Sequence, residues 1–151
     1  VYLEGYHGDC SETFLVGDSV PEDVKRLVKV ARDARDLAIA QCGPGRPLNI
    51  IGKTITDLCR SHGYTSPYNL TGHGVGPVFH AQPYVIHAEN EDNRAMLPGM
   101  TFTIEPVVCE GSDEFVMAED DWTVFSADGK WNAQFEHTIL ITEHGHEILT
   151  L

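Results

Sequence analysis

Positive charge is scarce in this sequence. Lysine and arginine together number 10 against 23 aspartates and glutamates, a formal net charge of −13. That is the wrong sign for holding a polyanion through counterion release, so neither nucleic acid nor an anionic membrane surface is an expected partner. Cysteine is sparse too: Cys10, Cys42, Cys59 and Cys109 form no C-x-x-C pair and no regular ladder of spacings. This usage excludes a disulfide framework and predicts free thiols, with the cytoplasm as the default compartment. No apolar run approaches the ~20 residues that cross a bilayer, and no basic-then-apolar leader opens the sequence. The first residue is Val1 rather than methionine, which sets the expectation that the natural N-terminus lies upstream. Internal repeats and low-complexity linkers are lacking as well. With 151 residues, 42% of them hydrophobic and 22% charged, the chain has the size of one domain and can bury about 70% of its unfolded surface without staples.

The periodicities suggest an order of elements. Glu12 to Gly17 reads as a short β-prone run closed by glycine and aspartate. Ser19-Val20-Pro21-Glu22 has the capping-box pattern, and Val24, Leu27, Val28, Ala31, Ala34, Leu37 and Ala38 follow at helical spacing until Gly43-Pro44-Gly45. Ile51, Ile55, Leu58 and Cys59 predict a second helix closed at His62-Gly63. From Tyr64 to Pro98 glycines, prolines and the polar run Glu89–Asn93 predict loops, with one short strand near Pro83 to His87. Strands are then expected over Met100–Cys109, Thr123–Ser126, Gln134–Thr142 and Glu147–Leu151, with hairpin turns at Ala127–Lys130 and Glu143–His146. This order implies an α+β fold, an antiparallel sheet with two helices packed on one face.

Chemistry enters where polar residues interrupt strands. A period of two puts Thr101, Thr103 and Glu105 on one face, opposite Phe102 and Ile104, and puts Gln134, Glu136 and Thr138 opposite Phe135, His137 and Ile139. Either glutamate alone fits a solvated sheet face, since antiparallel sheets commonly wet one side. Two further stretches change the weighting: Tyr6-His7-Gly8-Asp9, and Thr71-Gly72-His73-Gly74-Val75-Gly76, where glycines bracket a histidine. Asp9, His73, Glu105 and Glu136 then form a ligand set of three carboxylates and one imidazole. Such a set suits Mn²⁺, Fe²⁺, Co²⁺ or Zn²⁺, and its lack of cysteine argues against a structural zinc. The surplus of acids suggests bridging carboxylates and two ions.

His7-Gly8-Asp9, Gly72-His73-Gly74, Phe79-His80, Thr103-Ile104-Glu105-Pro106 and Gln134-Phe135-Glu136-His137-Thr138, in this order and spacing, resemble the type I methionine aminopeptidases of the pita-bread fold. The similarity runs from about Gly5 to Leu149, and the interval from Glu105 to Glu136 lacks the long helical insertion of type II enzymes. The resemblance implies that Asp9 and Glu136 bridge two divalent metals, that His73 and Glu105 complete the first metal's shell, and that Glu105 shuttles the proton. It implies that His80 hydrogen-bonds the scissile carbonyl as it becomes an oxyanion, and that Phe79 and Trp122 wall the methionine pocket. His7 and Thr103 are expected to support the ligands from behind. His62, His137, His144 and His146 receive no role, and neither does His87, although it sits at a matching position.

The implied activity is hydrolytic removal of N-terminal methionine from peptides. The family also carries a further metal-ligating aspartate, and a half-domain with another active-site histidine, ahead of the position matched by Val1. Residues 1–151 are therefore expected to be part of a catalytic domain whose N-terminal half is absent. The first metal site would be complete and the second incomplete, with apolar surface exposed and little activity in the isolated chain. The expected partner is the missing half, or else a second copy of this chain. Two alternatives stand beside this reading: a non-catalytic pita-bread module that binds proteins, and another pita-bread hydrolase such as a proline dipeptidase.

Overall fold

The computed structural model describes residues 1–151. A small hairpin comes first, β1 (Tyr2–Leu3) with β2 (Tyr6–His7), followed by helices α1 (Glu22–Ala40) and α2 (Asn49–His62). The principal sheet uses β3 (Thr71–Gly74), β4 (Ala81–Ile86), β5 (Thr101–Ile104), β10 (His137–Ile141) and β11 (His146–Ile148). Its order is β11-β10-β5-β3-β4, and every neighbouring pair is antiparallel. Two flanking ribbons complete the β-structure: β6 (Val107–Cys109) with β9 (Asn132–Gln134), and β7 (Phe115–Met117) with β8 (Val124–Ser126).

Both helices pack on one face of the sheet, as expected. Leu27, Ala31 and Ala34 of α1 and Ile51 and Ile55 of α2 meet Phe102, Ile104 and Ile139 in one buried cluster. Alternation along β5 and β10 therefore turns Thr103 and Thr138 to the opposite face. In α1 the buried stripe differs slightly from the expected one: Leu37 is exposed, while Val30, Arg35 and Ile39 are buried. Arg35 is tolerated there because its guanidinium lies 5.6 Å from the centre of the Phe135 ring and pairs with Asp36. At the end of α2, Gly63 takes the left-handed conformation at φ 76°, and the Tyr64 N–H reaches back to Cys59 O at 2.9 Å.

Several local expectations are corrected. Residues 12–17 form no strand; only Ser11 makes a bridge, to Glu136. The Ser19–Glu22 capping box does not form, because Pro21 itself is the N-cap and makes no side-chain bond. Proline disfavours helical backbone in the residue before it, which leaves Ser19 outside the first turn. Asp23 instead accepts the Val24 N–H at 3.0 Å. Strand β3 lies within the stretch expected to be mostly loop, and β6 and β9 break the two long strands at Glu105-Pro106 and at Phe135-Glu136. The turn at Ala127–Lys130 joins β8 to β9, which belong to different ribbons, so it is not a hairpin. The hairpin at Glu143–His146 does form, between β10 and β11. All four cysteines are free. Apolar surface is exposed at Leu3, Tyr6, Phe14, Val16 and Trp131.

Candidate metal centre

The expected ligands come from four separate pieces of chain. His73 ends the regular part of β3, where the register shifts before Gly74. Its Nδ1–H donates to Gly74 O at 3.1 Å, which leaves the Nε2 lone pair free to face the carboxylates. That nitrogen lies 3.6 Å from Asp9 Oδ2 and 3.5 Å from Glu105 Oε1. Asp9, His73 and Glu136 each offer a ligand atom within 4.8 Å of the other two. Glu105 stands beside this group of three, just past the end of β5, where Pro106 breaks the strand.

The centre of this face is buried, while Asp9 and Glu105 stay partly open. Thr103 is 0% exposed, Thr138 3% and Glu136 5%. Thr103 Oγ1 donates to Glu105 Oε1 at 2.7 Å and accepts the His73 N–H at 2.9 Å, so one hydroxyl touches two of the candidate ligand residues. His7 does something different: its N–H and its Nδ1–H both reach Gly76 O at 2.9 Å, and its ring packs 5.3 Å from that of Phe79. It braces the glycine loop rather than a ligand.

Burial pushes the Glu105 carboxyl up to about 7; Thr103 partly offsets this and the nearby Asp9 carboxylate adds to it. Glu136 is pushed up to about 8, first by burial and then by the charges of Glu105 and Asp9. Its Oε1 is buried with no hydrogen-bond partner. No lysine or arginine pairs with Asp9, Glu105 or Glu136; the ion pairs of those cations all lie elsewhere. Crowded carboxylates, an orphaned buried oxygen and a free imidazole nitrogen make a donor set that a divalent cation fits.

Above this set opens a cavity of about 550 Å³, lined among others by Phe79, His80, Tyr84 and Trp122. The His80 ring stands edge-on to His73 with centroids 4.4 Å apart, and is exposed to the cavity. Phe79 is half-open and Trp122 is 76% exposed. His87, which has no role in the sequence pattern, is 1% exposed and accepts the Glu105 N–H on Nε2 at 3.2 Å. Burial drives its imidazole down to about 4, so it stays neutral and can accept that bond. Its signal in the sequence is a lone polar residue closing the apolar run Tyr84-Val85-Ile86.

Residues 1–143 match the model of metallopeptidase family M24. The chain is 52% identical over 151 residues to the mitochondrial methionine aminopeptidase 1D of Danio rerio, covering 99% of this chain and 44% of that protein. To methionine aminopeptidase A of Synechocystis it is 43% identical, covering 99% of this chain and 59% of that one. The crystal structure of methionine aminopeptidase from Rickettsia prowazekii superposes with a TM-score of 0.94 at 38% identity, over 99% of this chain and 60% of that one. The prolidase of Pyrococcus furiosus shares the fold at a TM-score of 0.75 and 24% identity, over 98% of this chain and 38% of that one. The chain thus spans about half the length of the relatives it matches. With its two helices on an antiparallel sheet of pita-bread type, it belongs to metallopeptidase family M24.

Proposed function

We propose that residues 1–151 are the metal-binding part of a longer catalytic domain that removes N-terminal methionine from peptides. The observation that carries this reading is the convergence of Asp9, His73 and Glu136 within 4.8 Å, with Glu105 at 3.5 Å from the same imidazole. Asp9, His73, Glu105 and Glu136 would hold one divalent ion, Co²⁺, Mn²⁺, Fe²⁺ or Zn²⁺. Asp9 and Glu136 would also contribute to holding a second ion, at a site that residues 1–151 supply only in part. When bound, such an ion supplies a Lewis acid for the scissile carbonyl and lowers the pKa of water at the site.

The chain's own residues do the rest. Glu105 takes a proton and returns it to the leaving amine. His80 donates a hydrogen bond to the carbonyl oxygen as negative charge develops on it. Phe79 and Trp122 offer apolar walls on which a thioether side chain packs. The openness of those walls, and the apolar surface at Phe14, Val16 and Trp131, support a partner that closes the site: the missing N-terminal half, or a second copy of this chain. The cytoplasm is the proposed compartment.

The test is titration of the purified chain with Co²⁺ or Mn²⁺, followed by an assay on a Met-Ala-Ser peptide. Uptake of about one ion per monomer with little methionine release is the expected result. Rapid release by the pure monomer would refute the fragment reading, and failure to take up metal, together with a stable protein partner, would favour a binding module. Cleavage of Xaa-Pro dipeptides without methionine release would point to a proline dipeptidase. In the assembled enzyme Glu105→Ala should cost far more activity than Trp122→Ala, since it removes ligand and proton carrier together.

A further inference from the structure

Asp9 reaches the site on a strap that belongs to no sheet. Residues 9–13 run antiparallel to Gln134–Thr138, joined by three rungs two residues apart. At the middle rung Ser11 and Glu136 exchange both backbone hydrogen bonds, at 3.4 and 2.9 Å. At the outer rung Thr13 Oγ1 donates to Gln134 O at 2.7 Å and accepts the Gln134 N–H at 3.1 Å. At the inner rung the roles reverse: Thr138 Oγ1 donates to Asp9 O at 2.7 Å and accepts the Asp9 N–H at 3.1 Å. Two threonine hydroxyls from opposite segments thus do at the ends of the strap what the backbone does at its centre.

A hydroxyl is needed at the inner rung because the Thr138 backbone is engaged elsewhere. Its N–H goes to Thr150 Oγ1 at 3.0 Å and its carbonyl accepts the Leu149 N–H at 2.9 Å. Thr138 is almost wholly buried, so no bulk water stands ready to replace its hydroxyl. Without it, the backbone N–H and C=O of Asp9 lose their partners together, and between His7 and Ser11 only Gly8 keeps backbone hydrogen bonds, to exposed Val1. The strap can recover those hydrogen bonds only by moving, which carries the Asp9 carboxylate away from Glu136 and His73.

We infer that Thr138 is a positioning residue for the metal centre: its hydroxyl clasp sets the distance and register of Asp9 against Glu136, and through them the affinity for a divalent cation. This rests on the metal-site reading given above. Residues that orient ligands in this way typically change metal affinity by about 10- to 100-fold when lost.

The experiment measures Co²⁺ affinity on the full chain by calorimetry and by the visible absorption of the bound ion, in the wild type, Thr138→Val, Thr138→Ser and Thr13→Val. Thr138→Val keeps the shape without the hydroxyl, and should weaken Co²⁺ binding at least tenfold with a changed absorption spectrum. Thr138→Ser restores the hydroxyl and should return affinity to within about threefold of wild type. If the wild type binds Co²⁺ and Thr138→Val binds it equally well, or if Thr138→Ser is as impaired as Thr138→Val, the clasp is overturned while the metal site stands. A wild type that takes up no Co²⁺ overturns the metal site itself. Should Thr138→Val not fold, the decision passes to Thr13→Val at the outer rung: a measurable loss of affinity supports the clasp, and unchanged affinity overturns it.

Discussion

Thr103 and Thr138 face each other across β5 and β10, and each hydroxyl holds a different acidic residue of the site. Thr103 Oγ1 donates to the Glu105 carboxylate and Thr138 Oγ1 to the Asp9 carbonyl, both at 2.7 Å. Two adjacent buried hydroxyls therefore lie beneath the carboxylates, on a sheet face that local alternation alone would leave wet.

Replacing Thr103 with valine removes the donor to Glu105 and leaves the buried His73 N–H without its acceptor. A loss of about 1–3 kcal/mol is expected in urea unfolding of the metal-free chain. The Glu105 carboxyl should also titrate higher than its present value of about 7, because its stabilising hydrogen bond is gone. Carboxyl NMR titration measures the second effect, and an unshifted Glu105 would contradict it.

Stability of the metal-free chain should fall as pH rises from about 6.5 to 8. Glu105 and Glu136 are pushed up to about 7 and about 8 when folded, whereas in the unfolded chain both ionise near 4.3. Across this window the folded state therefore binds more protons than the unfolded state, and the slope of stability with pH is negative. His87, held down to about 4, works in the opposite sense, but only below the ordinary histidine value of about 6.5. Thermal melts at pH 6.5 and pH 8 in the presence of a chelator check the sign; a melting point that rises with pH would be inconsistent with two strained carboxyls.

Glu136→Gln should separate stability from metal binding. The amide removes a charge that burial and two neighbouring acids oppose, so the metal-free melting point at pH 8 should rise. The same change removes the charge from one of the three groups converging on the candidate metal site, so stabilisation by added Co²⁺ should disappear. A paired melting experiment with and without Co²⁺ reads both effects.

Gly72→Ala should be among the most damaging small substitutions. A Cβ at this position would fall 2.3 Å from Thr103 O, a backbone atom of the neighbouring strand, and 3.2 Å from His87 Cε1. Because the obstacle is main chain, relief requires β3 and β5 to part, at a cost of about 3 kcal/mol or more. Chemical denaturation against the wild type measures it; a change under about 1 kcal/mol would mean that the strands separate without penalty.

The sequence by itself determined the helices, because apolar spacing and the Gly63 stop are properties of consecutive residues. It determined the hairpin at Glu143–His146 in the same way. Strand alternation was enough to put Thr103, Glu105, Glu136 and Thr138 on the face away from the core, and the residue types named the chemistry of the ligand set. Tertiary structure alone decided the rest. Residues 12–17 read as a β-prone run, yet the pairing lies at residues 9–13, where one backbone rung is flanked by two made of threonine hydroxyls bonded to backbone up to 129 residues distant, a pattern with no period to read. His87 became a support for Glu105 only through burial beneath β3 and β5. The raised carboxyls arise from the crowding of charges on separate segments, because electrostatic energy depends on distance through space, which the order of residues along the chain does not encode.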